Sequence, residues 1–257
     1  MPRQPAQLAN ISTRLRVETN DAVLIGGFII TGAEGKKVIV RAIGPSLATP
    51  GVLGDPALEI YNSSGQLIAT NNNWRDNANQ ADIVASTIPP PNDLEAAFLG
   101  TLAPGAYTAV VYGIGDTTGT ALVEVYDIGS LASSKLANIA TRGLVQTGDD
   151  VLIGGLIVTG ETGQLKALIR GIGPSLSIND KLQDPTLELF NANGDSLAFN
   201  NNWRDTQEAD IQGTGIPPSD DLEAAILTTF APANYTAMLR GASDTTGIGV
   251  VAIYGLP

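Results

Sequence analysis

The hexapeptide Asn-Asn-Asn-Trp-Arg-Asp occurs twice, at 71–76 and again at 200–205. Three amides, an aromatic and a charged pair suit a sugar-binding loop. Trp74 or Trp203 would stack on a pyranose ring while Asn and Asp side chains bond its hydroxyls, which makes Trp74, Arg75, Trp203 and Arg204 the candidate binding residues. The same residues also fit a structural role. Each tryptophan would plug one end of a β-sandwich, each arginine would pair with a nearby carboxylate, and the asparagines would end a strand by satisfying backbone groups. The chain has only two tryptophans, one per hexapeptide, and a single large aromatic per domain favours the structural role.

Oxygen donors around the hexapeptide are of the kind Ca²⁺ takes. Asn72, Asp76 and Asp93, and in the second copy Asn201, Asp205 and Asp221, are the candidate metal residues, with Asn73, Glu95, Asn202 and Glu223 nearby in sequence. Their spacing matches no strict calcium motif, and solvated loop carboxylates are the competing reading. No other cofactor is expected. Asp93 with Glu95 also offers two acids of the separation that glycoside hydrolysis needs, on the expectation that both lie on one strand face. Any β-protein contains many such pairs, so no catalytic residue is assigned. Arg14 with Arg142 and Arg41 with Arg170 occupy matched strand positions. Each is expected to bridge strands or to pair with Glu59 or Glu188, or with Asp55 or Asp184.

Composition closes most other chemistry. The chain has no histidine and no cysteine, which removes Ser-His-Asp and Cys-His nucleophiles, His-based zinc sites and disulfides. A formal net charge of -12, from 14 basic against 26 acidic residues, would repel nucleic acid and anionic membrane surfaces. No stretch approaches the roughly 18 apolar residues of a membrane span, and the residues after Met1 form no apolar signal-like segment. With 43% hydrophobic residues, 29 glycines and 15 prolines, the chain reads as many short strands joined by turns.

Those strands come in two sets. Residues 8–32 and 136–160 are identical at 17 of 25 positions, and the match resumes at RAIGPSL (41–47) and RGIGPSL (170–176), then at the hexapeptide, DLEAA (93–97, 221–225) and DTTG (116–119, 244–247). A period of about 128 residues is one whole domain per copy. The expected organisation is an arm over residues 1–7, one repeat over 8–132 and a second over 133–257, with a short seam at Ser130–Ser134. Strands of the first copy are expected near 11–17, 23–31, 37–43, 58–62, 67–71, 94–102, 106–113 and 121–128. The turns at Asn62–Gly65, Pro104–Gly105 and Asp116–Gly119 separate them, and one helical turn fits in 77–86. The fold class is all-β: two tandem jelly-roll-like sandwiches related by internal duplication.

From Asp55 onward the order DPALEIYNSSGQLIATNNN, DLEAAFLGTLAPGAYTAVVYG and GTALVEVYDI resembles the bacterial pre-peptidase C-terminal domain. The second copy departs from it at Ala233-Asn234-Tyr235. The whole unit is similar to repeats of large secreted or surface-attached bacterial proteins. That resemblance implies a jelly-roll-like sandwich, an extracellular or cell-surface setting and no catalytic residues.

Several strands carry apolar residues on both faces, among them Val38-Ile39-Val40 and Ala109-Val110-Val111, and lysines are few. Neighbouring subunits are expected to cover them. The expectation is a non-catalytic structural protein that self-associates head to tail in a fibre or layer, with Ile11, Thr13, Leu15 and Val17 adding a strand to a neighbour. The alternative is a carbohydrate-binding or adhesion module, appended to a larger secreted protein, whose partner is a surface glycan.

Overall fold

A computed structural model of the chain describes residues 5–129 and 134–256. Seam residues Ser130 to Ser133 and arm residues Met1 to Gln4 fall outside that range. Two compact units emerge, one of Asn10–Ala137 and one of Asn138–Pro257 together with Met1–Ala9. The division falls at the same place in both copies, between Ala and Asn of the repeated Leu-Ala-Asn. Sequence repeat and compact unit therefore differ by the leading residues of each copy.

The first copy forms β1 (Gln7–Val17), β2 (Leu24–Gly32), β3 (Lys36–Ile43), β4 (Pro56–Asn62), β5 (Leu67–Asn71), α1 (Gln80–Ala85), β6 (Ala96–Leu102), β7 (Gly105–Gly113) and β8 (Gly119–Asp127). Within its unit every ladder is antiparallel. The first strand pairs with the eighth, the second with the seventh, the third with the sixth and the fourth with the fifth. Further ladders join β3 to β8 and β4 to β7. One sheet thus reads β1-β8-β3-β6 and the other β2-β7-β4-β5. This is the eight-stranded jelly roll, a long hairpin wrapped around a two-sheet core.

The second copy repeats the arrangement. Its elements are β9 (Ser134–Val145), β10 (Leu152–Thr159), β11 (Leu165–Ile172), β12 (Pro185–Asn191), β13 (Ser196–Asn200), α2 (Glu208–Gly213), β14 (Ala224–Phe230), β15 (Ala233–Gly241) and β16 (Gly247–Gly255). Ladders β16-β9, β10-β15, β11-β14, β11-β16, β12-β15 and β12-β13 reproduce the first roll's pairings. In the unit that contains Met1–Ala9, the Ala6 N–H donates to the Thr162 carbonyl at 3.0 Å. Ser134, the counterpart of Ala6, bonds both the backbone N–H and the carbonyl of Glu34 through its hydroxyl.

Alternation along the strands explains the core. In β2 the residues Leu24, Phe28 and Ile30 are buried while Ile25, Gly27 and Ile29 are half-buried, the period of a strand with one inward face. Gly26 sits on the inward face. A Cβ there would come within 3.2 Å of Val123 Cγ1 in the opposite sheet, and Gly154 stands in the same relation to Val251. The first glycine of the pair in VLIGG is therefore a point of close sheet approach.

Val38, Ile39 and Val40 are all fully buried, yet no neighbouring subunit is needed to cover them. Val38 and Val40 point into the sandwich. Ile39 points the other way and packs with Trp74, Ile83, Ala97 and Leu99, a second small core that the 72–95 segment lays over the outer face of β3 and β6. Leu168, Trp203, Ile211, Ala225 and Leu227 form the same cluster in the second roll. An apolar strand with two buried faces is here the sign of a covering loop and not, as its sequence suggests, of assembly.

The proposed assembly strand is also occupied. Thr13, Leu15 and Val17 are at most 1% exposed, and Ile11, Thr13, Leu15 and Val17 lie in register with Val125, Val123, Ala121 and Gly119 of β8. Residues 11–17 complete their own roll and do not extend onto a neighbour.

Candidate functional site

The hexapeptide, the Gly-Pro-Ser-Leu loop and the DLEAA turn converge on one carboxylate. Glu95 is fully buried. Its Oε1 accepts from the N–H of Gly44 at 3.1 Å, the N–H of Ser46 at 3.0 Å and the Ser46 hydroxyl at 2.6 Å, and its Oε2 accepts from the Asn92 N–H at 3.0 Å. Glu223 makes the same set with Gly173, Ser175, Ser219 and Asp220. The glycine of the loop is required because a Cβ on Gly44 would lie 2.2 Å from the Leu53 carbonyl oxygen, and one on Gly173 2.1 Å from that of Leu182. A buried carboxylate with four donors is a fastener between loops. Both of its oxygens are engaged by the loops it joins, three donors on Oε1 and one on Oε2.

The Trp74 N–H of the backbone then donates to the Glu95 carbonyl at 2.8 Å, which hangs the hexapeptide from the same turn. Trp74 and Trp203 are each 2% exposed. Their indole N–H groups donate to the Asn92 and Asp220 carbonyls at 3.1 and 3.0 Å. The outward ring face is covered as well: the Arg75 guanidinium stands 4.4 Å from the Trp74 ring and Arg204 4.2 Å from the Trp203 ring. The sugar-stacking role expected of Trp74 and Trp203 is thereby overturned, because neither ring face is free to receive a ligand. The tryptophans belong to the outer core.

Arg75 donates to Asp93, and Arg204 donates to Asp221 at 2.6 Å and also to Glu208. These pairs are exposed, with Asp93 67% and Asp221 74% accessible. They contribute little to stability. They do dismantle the calcium set: Asp93 and Asp221 are committed to arginines, while Glu95 and Glu223 are fastened to loop amides. Asp93 also lies in the turn before β6, exposed where Glu95 is buried, so the two acids do not share a strand face. Asp76 and Asp205 lie beside Asn73 and Asn202, at 3.5 and 3.3 Å. Among the described residues, no group of three or more acidic side chains is gathered closely enough to hold a metal ion. What remains is a set of buried side-chain oxygens without donors, Asp55, Asn72 and Asn73 in the first roll and Asp184, Asn201 and Asn202 in the second. Ca²⁺ takes about six to eight oxygens, backbone carbonyls and waters among them, so these side chains alone do not make a site.

The first asparagine of each hexapeptide has a different task. Asn71 Oδ1 accepts from the Ala97 N–H at 2.9 Å; Asn77 and Asn79 donate to the carbonyls of Ala97 and Leu99 at 3.1 and 2.9 Å. In the second roll Asn200 bonds Ala225, and Gln207 bonds both the N–H and the carbonyl of Leu227. Side-chain amides thus occupy the free backbone groups of β6 and β14, the terminal strands of their sheets. The opposite sheets end in β5 and β13, which pair on one side only, with β4 and β12. Leu67 and Ile68 are 46% and 39% exposed there, and Leu197 and Phe199 51% and 59%. Neither LIATN nor SLAFN contains a charged residue. Sequence reasoning passed over these residues, although a five-residue apolar strand without lysine or proline was visible in both copies.

No protein-family model matches the chain, and no curated protein matches it. Among solved structures, it is similar to the major capsid protein of Sulfolobus Turreted Icosahedral Virus, at 13% identity over 100% of this chain and 90% of that one, with a TM-score of 0.27. It is also similar to Bacillus subtilis oxalate decarboxylase, at 8% identity over 96% of this chain and 69% of that one, with a TM-score of 0.19. At such scores the likeness carries no argument about what this chain does. The class is defined by the chain's own topology: a pair of jelly rolls.

Proposed function

We propose that the chain is a non-catalytic structural subunit of a fibre or layer outside the cell, and that it self-associates by strand pairing through the outer edges of β5 and β13. One observation carries this reading: each roll seals one terminal strand with side-chain amides and leaves the other uncharged and apolar. An open strand presents a row of unpaired N–H and C=O groups, and natural proteins blunt such edges with lysine, proline or a covering segment. Here the devices are spent on β6 and β14. Pairing of β5 or β13 with another chain would satisfy the backbone row and remove apolar side chains from water, at about 25 cal/mol per Å² buried. Two such edges make a divalent subunit, and repeated pairing of a divalent subunit builds an open assembly unless it closes on itself. The lack of histidine and cysteine, and the engagement of Glu95 and Glu223 by loop donors, support a non-catalytic role. The likeness of the segment from Asp55 to pre-peptidase C-terminal domains supports an extracellular setting.

Sedimentation velocity and negative-stain electron microscopy test the reading. Wild-type chain is expected to assemble with rising concentration, and Ile68→Lys with Phe199→Lys to remain monomeric with an unchanged unfolding midpoint. If β5 pairs with β13, either substitution alone abolishes assembly; if like edges pair, either alone stops it at dimers. A wild-type protein that stays monomeric at high concentration defeats the proposal.

A further inference from the structure

In the first roll Arg41 is a largely buried cation whose donors all have partners. Its side chain is 12% exposed and that of Glu124 9%. Nε donates to Glu124 Oε2 at 3.0 Å and Nη2 donates to the same oxygen; Nη1 donates to the carbonyls of Ile88 and Pro89 at 2.9 and 3.3 Å. Tyr126 completes the group, accepting from Nη2 at 3.3 Å and donating to Glu124 Oε1 at 2.8 Å.

The second roll keeps all of this except the acid. Arg170 Nη1 donates to the carbonyls of Ile216 and Pro217 at 3.0 and 3.5 Å, and Nη2 donates to the Tyr254 hydroxyl at 2.5 Å. The position in register with Arg170, filled by Glu124 in the first roll, is Ala252. Arg170 Nε is buried and has no acceptor. Arg142 flanks the same point. It lies opposite Val250, two residues before Ala252, so its side chain leaves the sheet on the same face as Arg170, and its Nε is also buried without an acceptor.

A guanidinium cannot discharge its burden by losing a proton. Arg170 is half-buried with its Nε withdrawn from water, so loss of the acid leaves that part of the guanidinium unpaired unless another anion takes the partner's place. We propose that the second roll binds a small carboxylate, of the size of acetate, beside Ala252. Exchanging glutamate for alanine removes one methylene and the carboxylate from the face, the dimensions of that ligand. Its oxygens would accept from Arg170 Nε and Nη2 and from the Tyr254 hydroxyl, the three donors that hold Glu124 in the first roll, with Arg142 adding positive potential from across β16. Arg170 and Tyr254 are half-buried, which leaves the group reachable from solvent.

Thermal unfolding in sodium acetate against sodium chloride at equal ionic strength, near neutral pH, tests this. Wild-type protein is expected to show a saturable rise in midpoint with acetate. Ala252→Glu supplies the carboxylate from the chain itself, so it is expected to unfold at a higher temperature in chloride and to lose the acetate response. Glu124→Ala is expected to gain a second one. Saturation-transfer NMR of acetate on the wild-type protein, abolished in Arg170→Lys, reads binding directly and does not depend on the glutamate variant folding. An acetate response equal in wild type and Ala252→Glu, or no saturation transfer to acetate, overturns the proposal.

Discussion

Lys36 and Asp127 form an ion pair of 2.8 Å with side chains only 3% and 5% exposed, and at the same two positions the second roll has Leu165 and Gly255. Both charges were exchanged together. This is the pattern expected when desolvation of a buried pair roughly cancels its attraction, so that an apolar replacement is tolerated only if neither charge is left behind. Arg170 breaks the pattern by outlasting its acid: the position of Glu124 is Ala252 in the second roll.

The pair yields a double-mutant prediction. Lys36→Leu alone strands Asp127 in the core and is expected to cost about 3–5 kcal/mol. Adding Asp127→Ala is expected to recover much of that loss, leaving a favourable coupling of about 1 kcal/mol or more between the two changes. Chemical denaturation of the four proteins measures it. Strictly additive costs would show that the two side chains do not act as a pair.

The Glu95 fastener is expected to matter more than any exposed charge. Glu95→Ala leaves the buried Gly44 amide and the amides of Ser46 and Asn92 without the acceptor that ties their loops together, a loss of about 3 kcal/mol. Asp93→Asn, which removes only an exposed partner of Arg75, is expected to cost less than about 1 kcal/mol. Similar midpoints for the two variants would show that the Glu95 fastener holds the fold no more firmly than the exposed Arg75–Asp93 pair.

Trp74→Ala is expected to destabilise the first roll by about 3–5 kcal/mol, because it empties the centre of the outer core formed with Ile39, Ile83, Ala97 and Leu99. Glycan arrays with the intact protein are expected to show no signal that depends on this ring. Saturable sugar binding lost in Trp74→Ala at an unchanged midpoint would restore the ring as a ligand platform.

How far these features could be read in advance depends on their range along the chain. All eight strands of the first copy fall near their expected positions, since alternation and turn chemistry are local and the duplication supplied a second reading of each. The single helical turn at α1 was legible for the same reason. The site was not. Whether Asp93 faces a metal or Arg75 depends on a contact 18 residues away, and whether a terminal strand is open depends on Asn77, Asn79 and Gln207 reaching carbonyls 20 residues away. Nor does hydrophobic pattern distinguish a strand face covered by another subunit from one covered by the chain's own loop, which is why Ile39 suggested assembly.

Chelation separates the remaining calcium expectation from the geometry. With Asp93 and Asp221 held by arginines, EDTA is expected to leave the unfolding midpoint unchanged. A ligand at a hundredfold excess over its dissociation constant stabilises by about 2.7 kcal/mol, which in a domain of this size is a shift of several degrees and easily seen. Such a shift, reversed by Ca²⁺ and absent in Asp55→Asn with Asp184→Asn, would identify Asp55, Asn72 and Asn73 and their counterparts as ligands.

The first roll's polar group also makes stability depend on alkaline pH. Burial pushes the Tyr126 hydroxyl up to about 12, the Glu124 charge and hydrogen bond add to the rise, and the Arg41 guanidinium opposes it. Tyr61 is raised chiefly by its hydrogen bond to Glu59, and Tyr112 chiefly by burial. In the unfolded chain a tyrosine loses its proton near pH 10. The folded state therefore holds the Tyr126 proton where the unfolded state has released it. The stabilisation from this proton is complete below about pH 10 and is lost as pH rises through 12. Absorbance of the phenolate in the folded protein is expected to show a component near pH 12 that disappears in Tyr126→Phe, and the fall in stability between pH 10 and 12 is expected to be shallower in that variant. Folded protein in which every tyrosine titrates near pH 10 would show that the Arg41, Glu124 and Tyr126 group is open to water.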